Sequence, residues 1–219
     1  MVVSGPSGGG KSTLLRQLAA RTLATQILAR LPADAADRPV VEANNILKGD
    51  LSPDAYRAQL ARPEGALVHY DIVFIHSHGL RRYEDDPALA PLETGEAPCV
   101  IFVKPDADTL QRQFADRAAQ HRRAKSAASR LWAKTVRLPL RRLAATLRGR
   151  RVPSTCALYR EPHWLAATCY PLWEEYLRRL AQRRPQTRIL VVTPAAAPDG
   201  KPGFRLEDDS VANSPPPTA

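Results

Sequence analysis

Residues 5 to 12 of the chain read GPSGGGKS, and this short stretch combines residue types that suit the binding of an anion. It fits the pattern G-x-x-x-x-G-K-[ST] at every fixed position. Glycines let successive backbone N–H groups point toward one spot, and a helix that begins there adds its positive end. The lysine supplies a positive charge, and the serine supplies a hydroxyl that can ligate Mg²⁺. The spacing therefore predicts a site for a polyphosphate.

The flanking sequence supplies the elements that such a loop needs. Val2-Val3-Ser4 predicts a strand before it, and the spacing of leucines predicts a helix from Lys11 to about Leu31, which Pro32 would end. The first strand is short, since central strands are typically about five or six residues long, and we therefore expect the natural start codon to lie upstream. A strand, a glycine-rich loop and a helix in this order favour a nucleotide site over a chance match.

The stretch GPSGGGKSTLL resembles the Walker A loop of the phosphate-loop NTPase superfamily, and in particular its branch of small-molecule and nucleotide kinases. It is also similar to the loop of ATP-binding cassette ATPases, but the chain has no L-S-G-G-Q signature and no strand that ends in an Asp-Glu pair. The paired arginines and the Gly-x-x-Tyr element of guanylate kinases are not recognisable either, so guanylate kinase activity is not expected. The resemblance implies a kinase-like enzyme that uses ATP and Mg²⁺.

The resemblance also implies roles for individual residues. Lys11 would reach the β- and γ-phosphates as a catalytic group, Ser12 would ligate the metal, and Thr13 would support the α- or β-phosphate. The expected cofactor-binding set is the whole loop with the first turn of the helix, namely Gly5, Pro6, Ser7, Gly8, Gly9, Gly10, Lys11, Ser12 and Thr13.

A phosphoryl-transfer site also needs an acid near the metal, held by a neighbouring strand. Asp71, in LVHYDIV, is the best candidate for this role, as metal ligand or as the group that handles the acceptor, because a carboxylate in an apolar strand is costly without a charged partner. Apolar residues continue after it, so the strand is predicted to run from Ala66 to Gly79. The alternative is that Asp71 is a structural acid, paired inside the sheet or at its edge.

Two further residues are candidates for contact with the acceptor. Glu42 ends a predicted second strand, at the edge of an open α/β sheet where ligands bind, although a surface or capping carboxylate is an equal alternative. His69 shares one face of its strand with Asp71 by alternation. It therefore contacts the acceptor, orients Asp71, or is a satisfied structural histidine.

The rest of the chain alternates predicted strands and helices, which indicates βαβ units. Residues 97–104 and 187–194 predict two more strands, and residues 161–184 predict an amphipathic helix whose aromatic side chains pack in the core. We therefore predict an α/β fold with a parallel sheet of about five strands flanked by helices, in one domain over residues 1–194. Residues 195–219 predict a disordered tail, because they contain Pro, Gly and acids with almost no large apolar residues.

Positive charge is concentrated in one segment of this chain of net charge +10. Between residues 112 and 151, thirteen lysines and arginines stand against one acid, with alanines between them. This spacing predicts a basic helical lid or arm inserted at about residues 106–152. In kinases with this loop, such a segment brings arginines onto the transferred phosphoryl group, which implies a catalytic role for Arg117 and acceptor contacts for Arg122 and Arg123.

The segment carries more cations than a lid needs. The excess is explained by a bound polyanion, such as a nucleic acid or an acidic membrane surface, or simply by a solvated helical arm. No apolar run has the length of a membrane span, no secretion signal is visible, and three cysteines without C-x-x-C spacing argue against disulfides and zinc. We expect a cytoplasmic protein.

Together these features predict an ATP- and Mg²⁺-dependent phosphotransferase that acts on a small hydroxylated or phosphorylated metabolite. The alternative is a regulatory or scaffold NTPase that binds ATP, hydrolyses it slowly, and engages a polyanion through residues 112–151. The two differ in one observable property, because ATP-dependent capture of a partner would survive the loss of the Asp71 carboxylate and phosphoryl transfer would not.

Overall fold

The computed structural model describes residues 1–43, 52–61, 65–72, 83–124, 162–196 and 202–207. The strands are β1 (Val2–Gly5), β2 (Val40–Glu42), β3 (Leu67–Asp71), β4 (Cys99–Val103), β5 (Arg188–Ala196) and β6 (Pro202–Leu206). The α-helices are α1 (Lys11–Ala19), α2 (Thr25–Leu28), α3 (Pro53–Leu60), α4 (Ala90–Thr94), α5 (Ala107–Ala124), α6 (Pro162–Trp164) and α7 (Tyr170–Arg183), and a π-helical stretch (Leu165–Cys169) joins the last two.

The six strands form one sheet in the order β2-β3-β1-β4-β5-β6. Every neighbouring pair is parallel except β5 and β6, which are antiparallel. The prediction of an α/β class with a sheet flanked by helices is confirmed, but the sheet is mixed: it has six strands, and the antiparallel β6 was not predicted. Strand β1 lies between β3 and β4, so the loop that follows it opens at the carboxyl edge of the sheet, in the middle.

The sheet separates two apolar layers. On one face, α1 and α2 pack through Leu14, Leu18 and Ile27. On the other face, the helices from α3 to α7 pack around an aromatic group that includes Tyr70 and Trp173. The aromatic residues of α7 are therefore core residues, as the sequence predicts. The two cysteines in the described residues, Cys99 and Cys169, are free and buried, and Cys156 lies outside that part of the chain.

Three predictions of element boundaries are wrong. The first helix does not run to Leu31: α1 ends at Ala19, and Arg21 takes a left-handed φ of 55°. The Arg21 N–H donates to the Leu18 carbonyl and the Thr22 N–H to the Gln17 carbonyl, which closes the helix. These backbone bonds end α1 without the glycine or proline that sequence patterns use as a stop signal.

The other two corrections concern β3 and the C-terminal region. Strand β3 ends at Asp71, and Ile72 is a turn residue whose carbonyl accepts a hydrogen bond from the Tyr83 hydroxyl. Residues 73–79 of the predicted strand lie outside the described part. The region predicted to be a disordered tail contributes the end of β5 and all of β6, where Phe204 is buried. One aromatic side chain and a partner strand suffice for an edge strand there.

Side chains cap the N-termini of two helices. Ser52 caps α3 by accepting a hydrogen bond from the Ala55 N–H, with Pro53 in the first turn. Asp106 caps α5 in the same way through the Thr109 N–H, at 2.7 Å. Helix α5 is the first part of the predicted basic segment; residues 125–161 lie outside the described residues.

Truncation of Trp173 to alanine is expected to lower the free energy of unfolding by about 3–5 kcal/mol, because the side chain is fully buried and the space it leaves cannot close completely. Its ring stacks on Tyr70 at 5.5 Å and meets Tyr83 edge-on at 4.8 Å. Urea denaturation measures the change. Leu172→Ala, at a neighbouring position that is 40% exposed, is the control and should cost about 0.5 kcal/mol or less. Equal losses for the two variants would contradict this account of the core.

Candidate functional site

The loop between β1 and α1 makes a tight turn at the carboxyl edge of the sheet. The Gly9 N–H donates to the Pro6 carbonyl at 3.0 Å, and the Thr13 and Leu14 N–H groups both donate to the Gly10 carbonyl at 2.9 Å. Helix α1 therefore begins directly at the end of the loop. Among the described residues no side chain caps it at Gly10, and its first turn contains no acid. No carboxylate on the first turn therefore neutralises the partial positive charge at the N-terminus of α1.

The side chain of Lys11 bonds back to the first residues of the loop. Its Nζ donates hydrogen bonds to the carbonyls of Gly5 and Pro6, both at 2.8 Å, and the residue is only 4% exposed. A buried ammonium needs hydrogen-bond acceptors, and these two carbonyls supply them. The lysine predicted to bind phosphate is therefore held at the start of the loop, next to the end of β1.

Neighbouring elements press against the glycines of the loop. A Cβ atom on Gly8 would lie 2.6 Å from Cε1 of Phe114, a residue of α5. A Cβ atom on Gly10 would lie 3.5 Å from the ring of Phe204 on β6. Two aromatic rings from separate parts of the chain thus pack against glycines of the loop. Neither residue was identified from the sequence, because no local pattern connects α5 or β6 with residues 5–12.

Replacement of Gly5 by alanine is expected to destabilise the protein by about 2 kcal/mol or more. Gly5 has a φ of 150°, and a Cβ there would lie 2.6 Å from the backbone carbonyl of Val103, which cannot move aside. Gly65→Ala is the matched control: Gly65 also has a positive φ, of 68°, but a Cβ there would meet only the flexible Arg38 side chain, at 3.4 Å, and the cost should be about 1–2 kcal/mol. Thermal unfolding of both variants tests the difference. A Gly5→Ala protein that is more stable than the Gly65→Ala protein would contradict this expectation.

Asp71 lies directly beside the start of the loop. In the parallel pairing of β1 with β3, Gly5 is opposite Asp71 at the last position of both strands. The side chain is buried, with the residue 4% exposed. The structure therefore brings the predicted acid next to the predicted phosphate-binding loop, and at the end of its strand rather than in the middle of one.

Glu42 and His69 form a pair on the neighbouring strands. They are directly opposite each other in the pairing of β2 with β3, and the imidazole Nδ1 lies 2.6 Å from the Glu42 Oε2. Because a carboxylate only accepts hydrogen bonds, Nδ1 carries the proton and donates it. The His69 side chain is 13% exposed and that of Glu42 is 48% exposed. The two predicted acceptor residues therefore contact each other, which the sequence reasoning did not foresee.

The electrostatic surroundings of His69 favour its neutral form. Burial lowers the pKa of the imidazole, and the nearby Lys11 ammonium lowers it further, while the Glu42 and Asp71 carboxylates oppose the shift. Lys11, Glu42 and Asp71 therefore each lie within electrostatic reach of His69. The four residues come from one helix and two adjacent strands, all at the carboxyl edge of the sheet.

The other predicted site residues fall into two groups. The first turn of α1 contains Ser12, which is exposed, and Thr13, whose hydroxyl accepts a hydrogen bond from Arg16 at 3.2 Å. Arg117, Arg122 and Arg123 lie in α5, but their side chains are outside the described part of the structure. Their predicted contacts with phosphate or acceptor therefore stay predictions.

A cavity of about 350 Å³ lies beyond the end of β4. Its lining joins the residues that follow β4, the start of α7, and the paired ends of β5 and β6, and includes Lys104, Pro105, Asp106, Tyr170, Thr193 and Glu207. Lys104 directly follows Val103, whose carbonyl lies close to Gly5, and none of the loop residues 5–12 is among the residues that line the cavity.

Within the described ranges, no three His, Cys, Asp or Glu side chains are grouped closely enough to hold a metal ion by themselves. In the same part of the chain no helix combines the length and the apolar character that crossing a bilayer requires. Comparison of the chain with protein-family models, with curated proteins and with solved structures found no match.

Proposed function

We propose that the chain is an ATP- and Mg²⁺-dependent phosphotransferase that acts on a small hydroxylated or phosphorylated molecule. The loop of residues 5–10 is the observation that carries this proposal. It combines glycines at positive φ, an ammonium bound to the carbonyls of Gly5 and Pro6, and the uncapped start of α1. Backbone N–H groups, a helix N-terminus and a lysine together form a strong site for the phosphates of a nucleotide.

The position of the loop in the sheet supports the same proposal. Ligands of open α/β sheets bind outside the carboxyl ends of the strands, and the loop lies there, between β3 and β4. We propose that the observed sheet is a phosphate-loop NTPase fold, with β3 as the strand that brings the metal-side acid. The opposition of Gly5 and Asp71 supports this assignment.

The residues present fit a bound Mg²⁺–triphosphate. Lys11 would exchange its hydrogen bonds with the Gly5 and Pro6 carbonyls for bonds to phosphate oxygens. Ser12 would offer its hydroxyl to the metal, and Asp71 would bind the metal or a metal-bound water. The metal, when bound, neutralises charge that develops on the transferred phosphoryl group. Proximity and charge stabilisation are the two effects that these residues supply.

The cavity beside β4 suits the base of the nucleotide. Its volume of about 350 Å³ is within the range of small-ligand sites, and its apolar lining by Pro105 and Tyr170 suits the flat face of a purine. Thr193 of β5 lines it as well. We propose that the base lies here, with the phosphates extending to the loop.

Transfer of the γ-phosphate tests the proposal. Purified protein is incubated with γ-labelled ATP, Mg²⁺ and a mixture of small metabolites, and the label is followed by thin-layer chromatography. We expect label on a new small molecule, and no transfer when EDTA removes the Mg²⁺. Stable ATP binding with no transfer to any acceptor or to water would contradict the proposal, and would favour the regulatory alternative.

A further inference from the structure

The Glu42–His69 pair has a defined geometry at the edge of the sheet beside the loop. The imidazole holds one carboxylate oxygen, Oε2, at 2.6 Å. The other oxygen, Oε1, has no hydrogen bond within the described residues, and the side chain is 48% exposed. His69 thus orients a half-exposed carboxylate through one of its two oxygens.

The distance from this carboxylate to the loop suits a small molecule. Glu42 lies on β2, two strands away from β1, and adjacent strands are about 4.8 Å apart. Asp71 and Gly5 lie two residues further along their strands than the Glu42–His69 pair. The backbones of Glu42 and Gly5 are therefore separated by roughly 10–12 Å across β3, a span that a compact acceptor together with one phosphate can cover.

We propose that Glu42 binds the acceptor and takes its proton, that His69 positions Glu42, and that the accepting group is a hydroxyl rather than a phosphate. This inference rests on the proposed phosphotransferase function and narrows its substrate class. The unengaged carboxylate oxygen and the hydrogen bond that orients it carry the inference.

A phosphate acceptor and a hydroxyl acceptor differ in charge and in their need for a base. A phosphate acceptor is already ionised at neutral pH, so it needs no base, and it would approach two carboxylates, Glu42 and Asp71, of its own charge. A hydroxyl acceptor keeps its proton until transfer and donates a hydrogen bond to a carboxylate. The charges at this edge therefore favour the hydroxyl.

The proposed step transfers the γ-phosphoryl group of ATP to the acceptor hydroxyl. The proton of the acceptor hydroxyl moves to the Glu42 Oε1 as the acceptor oxygen forms a bond to the γ-phosphorus. The bond between the γ-phosphorus and the β–γ bridging oxygen breaks, and its electron pair leaves with ADP. The products are a phosphate monoester and ADP, and the Glu42 proton is then released to water.

Two sets of acceptors and four variants test the inference. Glycerol, D-ribose, L-serine and ethanolamine serve as hydroxyl probes, and AMP and CMP serve as phosphate probes. ³¹P NMR identifies each product as a phosphate ester or a phosphoanhydride. The variants are Glu42→Gln, His69→Phe, which removes the donor to Glu42, His69→Asn, whose amide can replace Nδ1–H, and His163→Asn as a control on an exposed residue of α6.

We expect an ester from at least one hydroxyl probe. Glu42→Gln should lower kcat about 100-fold and His69→Phe at least 10-fold, while ATP affinity, measured by calorimetry, changes less than about twofold. His69→Asn should recover most of the His69→Phe loss, which a merely structural role would not predict, and His163→Asn should match the wild type. An anhydride product, activity that survives Glu42→Gln, or no ester from any hydroxyl probe despite ATP binding would overturn the inference. Failure of the wild type to bind ATP would instead overturn the proposed function.

Discussion

Lys11→Ala is expected to weaken the binding of Mg²⁺–ATP by about 100-fold. The ammonium donates to two backbone carbonyls at the start of the loop, and hydrogen bonds from charged groups contribute about 1.5–3 kcal/mol each. Transferring these bonds to phosphate oxygens adds charge attraction in a buried position, where screening by water is weak. Isothermal titration calorimetry of the variant and the wild type measures the change in dissociation constant.

A matched control separates this effect from a general loss of positive charge. Arg57 on α3 is exposed and pairs only with Asp54 on the same helix among the described residues, so Arg57→Ala removes one cation far from the loop. Its ATP affinity should stay within about twofold of the wild type, since exposed pairs contribute little. Circular dichroism shows whether Lys11→Ala is folded. A folded Lys11→Ala protein with wild-type affinity for ATP would contradict the assignment of the loop.

Asp71→Asn is expected to lower the rate of phosphoryl transfer by about 100-fold or more, with a much smaller effect on ATP binding without metal. The substitution keeps the shape of the side chain and removes the charge that would hold Mg²⁺ beside the loop. Steady-state rates over a range of Mg²⁺ concentrations provide the measurement. Partial recovery at high Mg²⁺ is expected if the loss is mainly one of metal affinity.

Asp86→Asn is the control for the removal of a buried carboxylate. Asp86 is 5% exposed, close to the 4% of Asp71, and accepts hydrogen bonds from the Tyr70 hydroxyl at 2.8 Å and from the Ala88 N–H at 2.9 Å. Its loss should reduce stability by about 1–3 kcal/mol and leave the rate of the folded protein nearly unchanged. If Asp71→Asn and Asp86→Asn behaved alike, Asp71 would be a structural acid.

The glycine-rich turn between a strand and a helix could be predicted from the sequence because it depends on local geometry. The residues from Gly5 to Ser12 need only one strand before them and one helix after them, and both are encoded in adjacent sequence. Buried parallel strands such as β4 could be predicted for a similar reason, since burial on both faces requires a continuous apolar run. These features require no knowledge of distant parts of the chain.

The features that the sequence did not reveal depend on contacts between distant residues. Strand β6 is short and begins with Pro-Gly, and it pairs with β5, which provides a partner edge for it. The Glu42–His69 contact requires the exact register of β2 against β3, because a shift by one residue would place the two side chains on opposite faces. Phe114 contacts Gly8 across more than a hundred residues of sequence. A local sequence pattern cannot predict contacts between residues that are far apart in the chain.

A crystal structure of the protein with Mg²⁺ and a non-hydrolysable ATP analogue would test the central claim most directly. The account predicts β- and γ-phosphate oxygens within hydrogen-bond distance of the loop N–H groups and of the Lys11 Nζ, with Mg²⁺ near the Ser12 hydroxyl and on the side of Asp71. An analogue bound elsewhere on the chain, or crystals grown at saturating analogue without nucleotide at residues 5–13, would contradict it.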